Sequence, residues 1–242
     1  MKSRRLFVSF LAATALASAG WTAPSDPPTS APAIKAEFVD PDSTDPEIVN
    51  VRKTGEDAIN RLGYMMVQEI SVAVNKQGAE AAIDVAHLKK LPKTNGRLTG
   101  LPNITAFKRT SLKLRDLGNA PDAAEDLALQ KFLSELTSGS SVPKLLVQKI
   151  DTPNAAPEWR VYRPFGALSI CLTCHGDLSE QTPEFRAKLD RLYPVDKAFG
   201  YAANEWRGVL RVTVDLTSPP APPPPKPAAQ PAPAKTAPKK KS

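Results

Sequence analysis

Cys171-Leu172-Thr173-Cys174-His175 holds both cysteines of the 242-residue chain and one of its two histidines. The C-x-x-C-H spacing is the attachment pattern of c-type haem, because two thiols three positions apart on a short helical turn can each form a thioether with a porphyrin vinyl group. His175 follows directly and can bind the iron beneath the ring. The stretch therefore predicts one covalently attached haem c per chain, held by Cys171 and Cys174, with His175 as the proximal ligand.

Other uses of two closely spaced cysteines agree less well with the sequence. A thioredoxin-like centre places C-x-x-C just after the first strand of a βαβ unit, whereas position 171 follows a strand-rich stretch. A structural zinc needs four ligands, and the chain offers only these three residues plus His87. Cys174 and His175 are adjacent in the chain and awkwardly placed to share one metal. A disulfide between cysteines this close would close almost no loop and so stabilise little.

Residues 1–19 have the features of a secretory signal peptide. They combine a basic start, an apolar run over 6–16 and small residues at 17–19. The apolar run is too short to span a bilayer as a helix. Export also agrees with the haem motif, since covalent haem attachment takes place in an exported compartment. The sequence thus predicts a periplasmic protein, soluble after signal cleavage, with no transmembrane segment.

Two proline-rich segments flank the central part of the chain. Residues 20–46 are rich in Pro, Ala, Ser and Asp and are predicted to be a flexible lead-in. Residues 217–242 contain ten prolines, five lysines and no acidic residue, which predicts a disordered, extended tail.

The net charge of +7 belongs to the two ends of the chain. The signal peptide carries +3 and the tail +5, which leaves −1 for the segment between them. A nucleic-acid-binding domain is therefore disfavoured, because it would need a basic face on the fold itself. The basic tail could make a weak contact with anionic lipid or cell-wall polymer in the envelope.

Residues 47–216 are long enough for one packed domain. Apolar periodicity and turn residues predict its elements. These are helices over 46–75 and 79–91 separated by Gly78, a strand over 104–114, a helix over 123–136, paired strands over 142–150 and 159–162, a helix over 183–192 and a last strand over 208–216. Helices followed by a small antiparallel sheet around a cofactor form an α+β pattern.

Several stretches together resemble a known family. They are 81–87, then 109–115 continuing to 119–122, and 171–176 continuing through Tyr193-Pro194 and 199–201 to Arg207-Gly208. Over roughly residues 55–216 the chain is similar to exported single-haem c-type proteins with a PAS-like fold, catalogued as a haem-binding domain of unknown function. The resemblance implies a PAS-like antiparallel sheet with N-terminal helices, haem joined through Cys171 and Cys174, and His175 as the proximal ligand.

The sixth iron ligand has several candidates. In some relatives a cysteine of the second helix supplies it, but Ala86 stands at that position here and cannot bind iron. His87 is the natural substitute, although one step along a helix turns a side chain by about 100°. Met65, Met66 or an open site are the alternatives, and methionine would raise the reduction potential relative to two histidines.

Basic residues alternate along the stretch 109–115. On a strand, Arg109, Lys113 and Arg115 would share one face, where Arg109 and Arg115 could contact the haem propionates through charge-assisted hydrogen bonds. A solvated basic face is the other interpretation.

Three functions agree with these features. The first is one-electron transfer or redox reporting to a redox partner protein that the sequence does not identify. The second, by fold-level analogy, is a haem-based gas or redox sensor acting through a partner protein. The third is a peroxidase-like enzyme, which needs an open iron site with acid–base groups beside it. If His87 binds iron, no histidine is left for that chemistry, so a carrier or sensor is preferred over an enzyme.

Overall fold

The structure, a computed structural model, describes residues 35–85 and 91–217. Its elements in chain order are β1 (Lys35–Val39), α1 (Pro46–Val85), β2 (Lys93–Thr94), β3 (Arg97–Leu98), β4 (Ile104–Thr110), α2 (Ala123–Ser138), β5 (Leu146–Asp151), β6 (Glu158–Gly166), α3 (Ser169–His175), α4 (Pro183–Leu192) and β7 (Trp206–Val214). The predicted signal peptide, the tail beyond Thr217, Ala86 and His87 lie outside the described residues. The α+β class is confirmed.

Five strands form one antiparallel sheet in the order β1-β5-β6-β7-β4. The predicted hairpin is present as β5 and β6, with Leu146 opposite Tyr162. The predicted last strand is β7, which lies between β6 and β4. β4, the first strand of this sheet after α1, therefore pairs with the last strand of the chain.

A helix covers each face of the five-stranded sheet. Alternate residues of a strand point to opposite faces, so neighbouring residues pack against different helices. Val161 of β6 and Val212 of β7 belong to the core cluster that includes Leu62 of α1. Tyr162, the next residue of β6, belongs instead to the cluster that includes Phe132 of α2. The alternation fixes which strand residues face each helix.

Helix α1 is broken at Gly78, as the sequence predicts. Gly78 has φ +82° and ψ 172°, a backbone conformation that glycine adopts without a steric penalty. After the break, Ile83 packs against Phe185 and Leu189 of α4. Leu91, the predicted last residue of this second segment, is not helical, and residues 86–90 before it lie outside the described part.

Two predicted boundaries are wrong. The flexible lead-in over 20–46 does not hold for Lys35–Val39, which form β1 and pair with β5 along its length. The strand predicted over 104–114 ends at Thr110. Ser111 turns the chain there, because its hydroxyl donates to the Arg207 carbonyl (2.5 Å) and accepts from the Lys113 N–H (3.1 Å).

The early end of β4 corrects the argument that Arg109, Lys113 and Arg115 share one strand face. Only Arg109 is on the strand, and the other two lie in the loop that follows.

Among the described residues, none of the helices is both long and apolar enough to cross a lipid bilayer.

Candidate functional site

The C-x-x-C-H residues form most of the short helix α3, as predicted. The helix ends at Gly176, whose N–H donates to the Leu172 carbonyl at 2.8 Å. A Cβ at position 176 would lie 2.7 Å from that carbonyl oxygen, so a larger residue would displace the end of the helix. Glycine directly after His175 thus allows the tight turn that leaves the histidine at the helix end.

Both thiols are free, half-buried and part of the same cleft. Cys171 packs beside Tyr201, whereas Cys174 packs beside Ile83 of α1. Burial raises the pKa of the Cys174 thiol, and nearby Arg115 only partly opposes this.

The His175 ring is held through both nitrogens. Its Nε2 lies 2.6 Å from Arg207 Nη2, and its Nδ1 lies 2.5 Å from the Ala198 carbonyl oxygen. A guanidinium can only donate, so Nε2 must accept and Nδ1 must carry the proton that it donates to Ala198. Burial, followed by Arg207 and Arg115, places the pKa of His175 well below its usual range. The ring is therefore neutral at pH 7.

A cleft lies beside α3, and the space between its walls and at its mouth amounts to about 880 Å³. Its walls come from both segments of α1, the end of β4, the loop after it, α3 and the chain from Tyr193 to Arg207. The residues that line the cleft include Ile70, Ala82, Ile83, Arg109, Lys113, Arg115, Cys171, Cys174, His175, Ala198 and Arg207.

Four cationic side chains line this cleft: Arg109, Lys113, Arg115 and Arg207. Burial and the neighbouring Arg109 lower the pKa of Arg207 to about 10. Burial, followed by Arg115, also lowers the pKa of Arg109. Asp116 also lines the cleft and Asp196 pairs with Arg115, but the cations outnumber these acids. Because burying like charges together is unfavourable, the cleft suits a ligand with negatively charged groups.

The predicted propionate contacts, Arg109 and Arg115, both line the same cleft as Cys171, Cys174 and His175. Arg115 already donates to protein atoms, to Asp196 Oδ2 at 2.8 Å and to the Cys174 carbonyl at 2.6 Å. Arg109 Nη1 lies 3.5 Å from the sulfur of Met66.

The two methionines considered as iron ligands lie elsewhere. Met66 is buried in the core between α1 and the sheet, and Met65 is 47% exposed. Neither lines the cleft among the described residues. His87 follows Val85, the end of α1, by two positions and lies outside the described residues, whereas Ala82 and Ile83 line the cleft.

Sequence reasoning gave no role to Arg207 or to the Ala198 carbonyl, the two partners of the His175 ring. Arg207 occurred only within the family resemblance. It lies 32 positions from His175, and no spacing rule connects the two. A backbone carbonyl carries no sequence signal.

Comparison with known proteins places this cleft within a matched region. The family model described as Tll0287-like matches residues 51–215. Among solved structures, the crystal structure of the cyanobacterial heme-protein Tll0287 matches with 18% sequence identity, covering 74% of this chain and 100% of that one, with a TM-score of 0.42. No curated protein matches.

Proposed function

This chain belongs to the Tll0287-like family, and from that membership and the geometry of the cleft we propose that it is a haem-binding protein. The finer proposal is a single haem c joined through Cys171 and Cys174, with His175 as the proximal ligand. The observation that carries it is the meeting of both thiols and a neutral, oriented imidazole in one cation-lined cleft. The protein Tll0287 is itself described as a cyanobacterial heme-protein.

The residues present fit such a group. Ile70, Ala82 and Ile83 supply an apolar wall suited to a porphyrin, and Arg109 and Arg207 supply cations for its carboxylates. Metal-binding histidines commonly donate their second ring N–H to a backbone carbonyl, which fixes the tautomer, and His175 does so to Ala198. The bound haem would supply an iron that changes oxidation state by one electron while its ligands stay fixed.

We propose His87 as the sixth ligand. Ala82 and Ile83, on the segment leading to His87, line the cleft, while Met65 is exposed and Met66 fills the core. For the propionates we propose Arg109 and Arg207, which line the cleft. Binding of iron by His175 Nε2 would release Arg207 from that nitrogen, whereas Arg115 would keep its three protein acceptors. The five-stranded antiparallel sheet, in which β4 pairs with β7, supports a PAS-like assignment.

The proposed role is one-electron transfer to or from a redox partner protein, or redox reporting. The proposed location is the periplasm, with residues 1–19 directing export. Two protein ligands would occupy both axial positions of the iron, which suits electron transfer more than ligand binding. The basic tail is proposed as a weak contact with the anionic envelope. Unchanged envelope fractionation after deletion of residues 217–242 would remove that contact from the proposal.

The test is production of the full chain with a working haem c maturation system. The purified protein should be coloured, should give the pyridine haemochrome spectrum of haem c, and should keep its pigment in acidified acetone. The variant Cys171→Ser/Cys174→Ser should lose the acid-resistant pigment. Colourless wild-type protein, or pigment that the acid acetone extracts, would overturn the proposal.

A further inference from the structure

We infer that Arg115 and Asp196 are positioning residues for His175, an inference that rests on the proposed haem function. Arg115 Nε donates to Asp196 Oδ2 at 2.8 Å, and the two side chains are only 14% and 11% exposed. An ion pair shielded from water to this degree can hold a fixed geometry, unlike a solvated surface pair.

The pair holds the segment that carries the acceptor of His175. Asp196 Oδ1 accepts from the Ala198 N–H at 2.8 Å, and Arg115 Nη2 donates to the Ala198 carbonyl at 3.3 Å. The same carbonyl accepts from His175 Nδ1. The position of this oxygen therefore depends on both members of the ion pair.

Arg115 also connects this segment to helix α3. Its Nη2 donates to the Cys174 carbonyl at 2.6 Å, one residue before His175. One guanidinium thus contacts the chain that carries the imidazole and the chain that carries its acceptor. A lysine cannot replace it, because an ammonium on a flexible stem lacks the planar fork that reaches several acceptors at once.

The Nδ1–H hydrogen bond sets how strongly an imidazole donates electrons to a metal. A short hydrogen bond to a fixed carbonyl raises the basicity of the ligand, which stabilises the oxidised metal. If the ion pair positions that carbonyl, loss of the pair weakens the bond and raises the reduction potential. Loss of the positive charge alone would act in the opposite direction, because a nearby cation favours the reduced, less positive iron.

The test measures the midpoint potential of the full-length, haem-bound protein. Arg115→Lys keeps the positive charge and loses the planar fork. At a fixed applied potential we expect a ratio of reduced to oxidised protein roughly tenfold higher than in the wild type. This corresponds to a midpoint potential that is higher by about 59 mV for a one-electron couple. Arg115→Gln loses the positive charge as well as the fork, so its potential should lie below that of Arg115→Lys. An unchanged or lower potential in Arg115→Lys, relative to the wild type, would overturn the inference.

The matched control is Arg97→Lys. Arg97 pairs with Asp215, each side chain being 26% exposed, and neither residue lines the cleft. This substitution should lower stability to a similar degree and leave the potential unchanged. An equal potential shift in the control would show that the effect of Arg115→Lys is a general loss of stability, and would also count against positioning.

A second measurement does not depend on haem. The chain has two histidines, so ¹⁵N labelling of histidine with His87→Ala as the assignment variant isolates the ring signals of His175. Wild-type protein should show protonated Nδ1 in slow exchange, and Arg115→Lys and Asp196→Asn should show faster exchange. Equal exchange in all three would refute positioning, whereas wild-type protein that takes up no haem would refute only the proposed function.

Discussion

At the scale of single residues, position 87 decides whether the proposed iron site has two histidine ligands. His87→Ala should convert a low-spin, six-coordinate spectrum into a high-spin or ligand-binding one, because one axial donor is lost. Visible absorption of the oxidised and reduced protein provides the measurement. Met65→Ala is the control, since that side chain is 47% exposed and lies outside the cleft lining. An unchanged spectrum for His87→Ala would reject His87 as the ligand.

Asp122 gives a prediction about pH at the same scale. It caps α2 by accepting from the Glu125 N–H at 2.8 Å, and Arg160 donates to both of its carboxylate oxygens. Burial tends to raise its pKa, but the Glu125 N–H and Arg160 outweigh burial and lower the pKa below 3.8. The pKa of Asp122 is thus lower in the folded state than in the unfolded state. The carboxylate therefore stabilises the fold above about pH 3.8, and this stabilisation is lost as the pH falls through the folded-state pKa.

The variant Asp122→Asn keeps a capping oxygen and loses the charge. Its free energy of unfolding should be lower than that of the wild type at pH 7, by at most about 1 kcal/mol because the side chain is nearly half exposed. In urea titrations the difference should shrink as the pH falls below about 3.8. Asp126→Asn, in the same helical turn, is the control. A difference that persists at low pH would show that the charge of Asp122 is not responsible.

At the scale of elements, the contact between α1 and the sheet depends on Gly55. A Cβ there would lie 2.4 Å from Val161 Cγ2, and Val161 is fully buried on β6. Alanine favours a helix by about 1 kcal/mol over glycine, but overpacking a rigid core costs about 1–3 kcal/mol. Gly55→Ala should therefore lower the free energy of unfolding by about 1 kcal/mol.

Gly63→Ala is the matched control on the same helix. Its Cβ would lie 3.1 Å from Leu210 Cδ1, the far end of a flexible side chain that can rotate away. Urea unfolding should rank Gly63→Ala at or above the wild type and Gly55→Ala below it, and Gly55→Ala/Val161→Ala should recover part of the loss. Equal stabilities for the two glycine variants would contradict this account of the packing.

Elements with a local cause were predictable from the sequence. The helix 183–192 has its predicted bounds because Thr182 caps it and Pro183 opens it, and the break at Gly78 follows from the glycine itself. β1 was missed because Lys35–Val39 become a strand only by pairing with β5, more than 100 residues away. The end of β4 was missed because the hydroxyl of Ser111 bonds to a carbonyl that folding brings near.

At the scale of the whole molecule, charge is distributed unevenly. The segment between signal and tail sums to −1, yet Arg109, Arg115 and Arg207 meet in its cleft. Composition could predict the near-neutral domain, but convergence of the arginines required the tertiary fold, since Arg207 lies on β7 and Arg109 on β4. The positive field is thus concentrated where anionic groups would bind rather than over the surface.

Carbon monoxide binding distinguishes the proposed electron carrier from a gas sensor or a peroxidase-like enzyme. With His175 and His87 both bound to iron, carbon monoxide must displace a protein ligand, so the reduced wild-type protein should react slowly or not at all. His87→Ala, which opens one axial position, should bind carbon monoxide rapidly and serves as the positive control. Stopped-flow absorption after mixing supplies the rates. A wild-type rate equal to that of His87→Ala would replace the carrier with a sensor or an enzyme, because an iron that readily accepts an external ligand is not closed by the protein.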